Sequence, residues 1–356
     1  MSIRRCRSAI LPLLVLAVTA PAGAQSSSGL TSLLAAAASR IPARTGIFVK
    51  HLSTGEEAQL EGDRPFSSAS VIKLPIMVRA FQLADRGDLR LDERFTLDRS
   101  HFRHGTGVFQ YHDVGAQPTL RDLITEMIIT SDNTATDFVL MKIGGVEALN
   151  AWLRDTGYPS LSMVGRPHQY RRDLLALLNP TFAALTPEET TGLMYAMDGN
   201  PLFELYEPLF AGERAGLVAQ VRSPDFRQRF AVERNRRTVD DKAFWLGSMT
   251  PRDTGRLLEA IQSGTAAAPA SCETMRRILL RQQLGVRRLP QFLDVPIGHK
   301  TGDSNVIAND VGIVYARSGP IVVAVFTNAV TGMYAETEAA VGRLGQLVVD
   351  YFDGRR

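Results

Sequence analysis

The chain has 356 residues, 45% of them hydrophobic and 22% charged, and a formal net charge of +3. That length and apolar share suit a globular protein with a sizeable core, built as one large domain or two modest ones. A charge this small, with no dense Lys/Arg stripe, argues against nucleic acid as a partner.

The chain opens on Arg4, Arg5 and Arg7, runs through an apolar stretch from Ala9 to Ala20 interrupted by Pro12, and reaches Ala22-Gly23-Ala24 before Gln25. A basic start, an apolar run and a small-residue cleavage site in that order predict a signal peptide over residues 1–24. The mature protein, residues 25–356, is then exported to the periplasm or secreted. Cys6 lies ahead of the apolar run, where it is not placed to carry a lipid anchor. No later stretch is long and apolar enough to span a bilayer.

Removal of the leader leaves Cys272 as the only cysteine. One thiol cannot close an internal disulfide, so the fold has to stand on its core. A cysteine-built zinc site is excluded, and the six histidines show no H-x-x-x-H pair. No metal and no cofactor is expected.

Gln25 to Gly29 is serine-rich and predicted to lack structure after cleavage. Leu30 to Arg40 is apolar and alanine-rich and predicts a first helix. Gly46 to Lys50 and Glu57 to Leu60 flank Ser53-Thr54-Gly55 and predict a β-hairpin. A helical pattern runs from Ser70 to about Asp85. A second runs from Thr119 to about Gly144, broken near Ser131-Asp132-Asn133. Near the C-terminus, Pro296 to Lys300 is short and extended. Asp310 to Ala316 and Ile321 to Thr327 are apolar runs joined by Arg317-Ser318-Gly319-Pro320, a second hairpin. Tyr334 to Phe352 closes the chain as an amphipathic helix. Strands at both ends and helices between predict a sheet built from both termini, over about 30–66 and 249–356, with a helical part inserted over about 67–248. No internal repeat or low-complexity tract is present.

Three short motifs carry the chemistry. Ser70-Val71-Ile72-Lys73 places a lysine one helical turn beyond a serine. Serine is a weak nucleophile until a base comes within hydrogen-bond reach, and residues three apart share a helix face. Free N–H groups at a helix start also favour developing negative charge. Alone, such a pair is equally a capping serine and a solvated lysine. Ser131-Asp132-Asn133 offers a second hydroxyl to pass a proton to a leaving nitrogen and an amide to hold a substrate. Alone it fits a turn or a helix cap as well. Lys300-Thr301-Gly302 puts a cation and a hydroxyl on an edge strand that could receive a carboxylate, with a glycine permitting close backbone approach. Alone it is an ordinary strand end.

Together and in this order, the three are far more specific: S-x-x-K, S-D-N and K-T-G form a known catalytic set. The chain resembles the class A serine β-lactamases among the penicillin-recognising serine hydrolases. The flanking segments Ser68-Ala69-Ser70-Val71-Ile72-Lys73-Leu74-Pro75, Ile129-Thr130-Ser131-Asp132-Asn133-Thr134-Ala135 and Asn309-Asp310-Val311-Gly312-Ile313-Val314 add to the likeness. It extends from about Thr45 to Phe352 and is weak between about Gly165 and Ser248.

The resemblance implies a mixed α/β fold of the β-lactamase/transpeptidase type, an antiparallel five-stranded sheet flanked by helices with an inserted helical subdomain. It implies a monomer acting on a small β-lactam or peptidoglycan-like substrate. Ser70 is then the acylated nucleophile and Lys73 its base or proton relay. Ser131 is the shuttle to the β-lactam nitrogen and Asn133 a ligand of the acyl side chain. Lys300 and Thr301 bind the substrate carboxylate. The backbone N–H groups of Ser70 and Asp303 form the oxyanion hole.

Two features depart from the family. Its R-x-E-x-x-L-N loop, whose glutamate positions the deacylating water, is absent, and the region before Thr250-Pro251-Arg252-Asp253-Thr254 is tens of residues longer. Glu233 stands at about the matching distance before Pro251 and is the first candidate for that acid. Asp173, which follows Arg172, is the second, and a surface carboxylate is the plain alternative for both. Ala308 stands where many members place an arginine, and the Asp303 side chain brings a negative charge to an anion-binding edge. Three functions stay open: a β-lactamase, a hydrolase of the same fold acting on another amide or ester, and a penicillin-binding protein that acylates and stalls.

Overall fold

A computed structural model describes residues 28–239 and 246–354. The predicted leader and Gln25 to Ser27 lie outside the described residues, whereas Ser28 and Gly29, expected to lack structure, open the first helix. In chain order the elements are α1 (Ser28–Ala38), β1 (Arg44–His51), β2 (Glu57–Leu60), β3 (Phe66–Ser67), α2 (Lys73–Asp85), α3 (Leu120–Ile129), α4 (Asn133–Lys142), α5 (Gly145–Asp155) and β4 (Ser162–Met163). They continue with α6 (Pro167–Leu178), α7 (Pro187–Asp198), α8 (Ala215–Arg222), α9 (Pro224–Val239), β5 (Gly247–Met249), α10 (Pro251–Ser263) and α11 (Pro269–Leu279). The chain closes with β6 (Ile297–Ser304), β7 (Ile307–Ala316), β8 (Gly319–Asn328) and α12 (Tyr334–Asp353).

The main sheet has the order β2-β1-β8-β7-β6, every neighbouring pair antiparallel. The two hairpins expected from the sequence therefore share one sheet, joined where β1 pairs with β8 from Arg44↔Asn328 to His51↔Ile321. Both faces are covered. Ile47, Val49, Ile321, Val323 and Val325 pack with α1 and α12, while Phe48, Val322, Ala324 and Phe326 point into the larger core with α2 to α5, α10 and α11. Burial on both faces is why these strands appear as unbroken apolar runs instead of alternating ones. Gly255 lets α10 lie directly on the sheet, since a Cβ there would stand 2.2 Å from the Phe48 ring.

The C-terminal strands are longer than their apolar runs. β6 extends through Lys300, Thr301 and Gly302 to Ser304, and β7 begins at Ile307. Polar residues continue these strands because ladder hydrogen bonds do not depend on side-chain hydropathy. The pairing Thr301↔Asp310 and Gly302↔Asn309 fixes the third motif against β7. A small second sheet, β3-β5-β4, pins Phe66 and Ser67 to Met249 and Ser248 just ahead of the first motif.

Residues 167–239 are not an extended loop but four helices, α6 to α9, with short 3₁₀ turns between them. They enclose a core of their own, including Leu174, Phe182, Leu193, Tyr195, Tyr206 and Phe230. Among the described residues no helix is long and apolar enough to cross a membrane. Cys272 is buried, its thiol 3.5 Å from the Ala267 carbonyl.

Candidate active site

The first motif sits where β3 hands over to α2. A 3₁₀ turn, Ala69–Ile72, carries Ser70, and Lys73 opens the α-helix. Ala69 is held at φ +43°, a left-handed conformation that L-residues adopt only when their surroundings force it. The constraints on the neighbouring backbone are visible. Ser67 N–H donates to Asn328 Oδ1 (2.7 Å), Ser68 N–H to the Gly247 carbonyl (2.8 Å), and Asn309 Nδ2 donates to the Ser67 and Ser68 carbonyls (2.9 and 3.2 Å). Gly302 explains the third motif's glycine: a Cβ there would stand 2.4 Å from the Ser68 carbonyl oxygen, so only glycine lets β6 lie against the nucleophile turn.

The break between α3 and α4 delivers the second motif. Asp132 caps α4, accepting from Ala135 N–H (2.8 Å) and from Phe109 N–H (2.8 Å), so its carboxylate is structural. Burial first of all raises its pKa, against the hydrogen bonds it accepts. Gly107 permits this approach, since its Cβ would fall 2.2 Å from the Asp132 carboxylate. Ser131 is itself left-handed, at φ +56°, which turns its hydroxyl inward.

Lys73, Ser131, Asn133 and Lys300 meet. Lys73 Nζ donates to the Ser131 carbonyl (2.6 Å), Ser131 Oγ (3.1 Å) and Asn133 Oδ1 (3.1 Å). Lys300 Nζ donates to the same Ser131 Oγ (3.1 Å) and to the Thr301 carbonyl (2.8 Å). One hydroxyl thus joins two fully buried lysine amino groups. Burial, and then the charge of Lys300, push the Lys73 pKa well below that of a free lysine, with Arg171 adding to the effect and Asp132 and Asp303 opposing it. Burial, reinforced by Arg288, brings Lys300 down to about 7. A neutral amine at Lys73 is a competent base for the hydroxyl one turn away.

This coupling has a testable sign. Loss of the Lys300 charge in Lys300→Met should raise the Lys73 pKa, so the acid limb of acylation at saturating substrate should move to higher pH. Single-turnover rates across pH would check it, and an unmoved limb would remove Lys73 as the base.

Several participants were not found from the sequence. Arg171 on α6 is half-buried, with its pKa lowered to about 10 by desolvation, and reaches the cluster: a Cβ on Gly105 would stand 2.6 Å from its guanidinium and 2.5 Å from Asn133 Nδ2. Arg288 is 3% exposed and comes from the turn ahead of β6 to pair with the Asp303 carboxylate. An arginine therefore does reach the edge where Ala308 supplies none. The adjacent Arg287-Arg288 in the sequence gave no periodicity or motif that singled out one of them.

The proposed deacylating acids are not brought to this cluster. Glu233 is held by Arg236 one turn on, Oε2 to Nε at 3.0 Å and Oε1 to Nη2 at 2.6 Å, and that hydrogen-bonded arginine keeps its pKa low. Asp173 is 57% exposed and lies 3.6 Å from Arg172. Counting back from Pro251 picked Glu233 as if the intervening chain were an extended loop, but it is a 16-residue helix. On that helix Phe230, Arg234 and Thr238 form the stripe that lines a cavity of about 140 Å³ beside Asp303, and Glu233 lies off the stripe.

A model of the beta-lactamase enzyme family matches residues 29–205 and 212–352. The chain belongs to this family. Beta-lactamase L2 of Stenotrophomonas maltophilia is 29% identical over 187 residues, 52% of this chain and 58% of that one. Beta-lactamase 3 of Bacillus cereus is 31% identical over 115 residues, 32% of this chain and 35% of that one. The chain thus spans less than two thirds of either relative. Among solved structures, a beta-lactamase from Sphaerobacter thermophilus superposes with a TM-score of 0.64 at 23% identity, over 92% of this chain and 97% of that one. The structure of PBP-A superposes with a TM-score of 0.66 at 22% identity, over 93% and 98%. The likeness to these solved structures shows the β-lactamase/transpeptidase fold.

Proposed function

We propose that the protein is an exported serine hydrolase that opens β-lactams through an acyl-enzyme on Ser70. The observation that carries the reading is the hydroxyl of Ser131, 3.1 Å from both Lys73 Nζ and Lys300 Nζ beside the Ser70 turn. Lys73 takes the proton of Ser70 as the hydroxyl attacks the lactam carbonyl. The backbone N–H groups of Ser70 and Asp303 receive the developing oxyanion, and Ser131 hands a proton to the departing nitrogen. Lys300 and Thr301 bind the substrate's far end, and Asn133 holds its acyl side chain. Export rests on the N-terminal residue pattern alone.

A second reading is favoured by one specific observation. Among the described residues no carboxylate hydrogen-bonds to Ser70, Lys73, Ser131 or Asn133, and Glu233 and Asp173 are engaged by arginines. A protein that acylates readily and hydrolyses the ester slowly fits that arrangement. A chromogenic cephalosporin assay run beside a fluorescent-penicillin adduct assay separates the two: continuing colour release marks turnover, and a long-lived label marks stalling. Neither signal would leave a hydrolase for another amide or ester.

Glu233→Gln tests the acid directly. If Glu233 activated the deacylating water, the variant would accumulate adduct and lose a factor of about 10² to 10⁴ in turnover. With its carboxylate held by Arg236, the expected result is turnover within about twofold of the parent, on the scale of a surface change. Mass spectrometry of the steady-state enzyme would show which holds.

A further inference from the structure

We infer that the cavity of about 140 Å³ between α6, α9 and the end of β6 is an anion-binding subsite, which takes a carboxylate carried on a short apolar group of the substrate and has Arg234 as its main ligand. The inference rests on the acylation reading and adds a substrate class to it.

The inserted helices build this cavity. Phe230, Arg234 and Thr238 stand four residues apart on α9 and share one face, and Tyr170, Arg171 and Leu174 line the cavity from α6. Asp303 and Asn305 close it at the end of β6. Lys300 and Thr301 do not line it, so it is separate from the edge that takes the substrate's far end. It nevertheless adjoins Asn133: the space a Cβ on Gly105 would fill is bounded by Asn133 Nδ2 at 2.5 Å and by the Arg171 guanidinium at 2.6 Å. An acyl side chain held by Asn133 therefore continues past Arg171 into the cavity.

Charge and hydrogen bonding specify what enters. Arg234 is half-buried, and its Nε is enclosed without a hydrogen-bond partner. Among the described residues no carboxylate pairs with its guanidinium. A buried donor left unsatisfied is costly, so this one marks a place for an acceptor. Arg171 brings a second positive charge to the same space: desolvation chiefly lowers its pKa, and the charge of Arg234 adds to that. An anion in the cavity relieves this repulsion. The acids nearby are engaged elsewhere. Asp303 pairs with Arg288, which stands outside the cavity, Asp198 lies 2.6 Å from His104 Nε2, and Glu233 is turned to Arg236. Leu174, Met194 and Phe230 make the remaining wall apolar. A guanidinium fork on one side and an apolar wall on the other suit a carboxylate on a short apolar body.

The test uses the full mature chain, the parent beside Arg234→Ala, Arg234→Lys and Arg229→Ala, at constant ionic strength. Benzylpenicillin is compared with its analogue bearing a carboxylate on the benzylic carbon. Both carry the same ring carboxylate, so only the side-chain charge differs. The acid-to-neutral ratio of Ser70 acylation rates, followed by mass spectrometry at low substrate, should fall about tenfold or more in Arg234→Ala, the scale of one charge-assisted hydrogen bond. Arg234→Lys, which keeps the charge and loses the fork, should lie between. Arg229→Ala removes an exposed arginine from the same helix outside the cavity and should keep the parent's ratio. Thermal melts with benzoate and with neutral benzamide form an arm independent of acylation. Benzoate should raise the parent's melting temperature above the value with benzamide, and this difference should vanish in Arg234→Ala. If neither penicillin labels Ser70 while benzoate still acts through Arg234, the acylation reading fails and the anion subsite stands. An unchanged ratio in Arg234→Ala, an equal fall in Arg229→Ala, or benzoate acting equally on parent and Arg234→Ala overturns the inference.

Discussion

Ser70→Ala should abolish covalent labelling by a penicillin and reduce any hydrolysis by on the order of 10⁶, the scale observed when the nucleophile of a site that acts as a unit is removed. The loss should be specific to chemistry. Among the described residues the Ser70 hydroxyl makes no hydrogen bond, so its removal leaves no buried partner unsatisfied, and Lys73 remains held by Ser131 and Asn133. The Ala69 conformation is fixed by its neighbours and not by the serine side chain. The melting temperature of the variant should therefore stay close to the parent's. An adduct found by mass spectrometry on another residue, or hydrolysis surviving in Ser70→Ala, would reject the assignment. A large drop in melting temperature would show that the residue is structural as well.

The parts of this site that could be seen in the sequence are the parts built locally. Lys73 follows Ser70 by one turn, and Ser131 precedes the Asp132 cap by one residue, so spacing alone places each pair. Gly302 is similar: its glycine announced a close approach, and the structure supplies the Ser68 carbonyl as the group approached. The five-stranded sheet was equally accessible, because long apolar runs in hairpin spacing have few other ways to bury themselves. What could not be read was everything assembled across the chain. Arg288 reaches Asp303 from outside any regular element, and Arg171 reaches Asn133 from the segment where the family likeness is weakest. Neither arginine carries a local pattern that distinguishes it from the chain's many surface arginines.

The long segment before Pro251 shows the same limit from the other side. Its helices were hidden by composition: α9, for example, is dominated by arginine and polar residues and offers little apolar periodicity. Its order comes instead from the Tyr195, Tyr206 and Phe230 cluster and from the way α6 is anchored to the rest of the protein. A distance count along the sequence treats such a segment as a simple spacer. Glu233 was chosen on that basis, and helix geometry turned it toward Arg236 instead of the cavity that Arg234 lines.

The anchor of α6 is Asp137 on α4, and its loss is the largest stability effect expected in the molecule. Its carboxylate is 1% exposed and accepts from Arg103 Nε (2.6 Å) and from Arg166 Nε and Nη2 (2.5 and 2.7 Å), with His168 Nδ1 at 3.6 Å. Arg103 and His168 are buried, and Arg166 stands at the N-terminus of α6, so one carboxylate ties the loop before Ser131 to the start of the inserted helices. Burial alone would raise the pKa of Asp137, but the neighbouring His168 ring, the hydrogen bonds from Arg166 and the charge of Arg103 outweigh it and hold the carboxyl below the usual range. Asp137→Asn keeps the shape and leaves the buried Arg103 charge uncompensated, a change that costs about 3–5 kcal/mol. In a protein of this size that corresponds to a fall of roughly 10 °C in melting temperature. The sign of the pH dependence follows from the lowered pKa. An acid bound less tightly to its proton in the folded state stabilises the fold above its unfolded pKa of about 3.9, and that contribution disappears as pH falls through the folded value. The difference between parent and Asp137→Asn should accordingly be constant from pH 6 to 8, at about its full size, and shrink only below about pH 4. Melts of both proteins over that range check the claim. A difference under about 1 kcal/mol at neutral pH would mean that water or a neighbouring group replaces the carboxylate, and the docking of α6 would then have to rest on apolar packing alone.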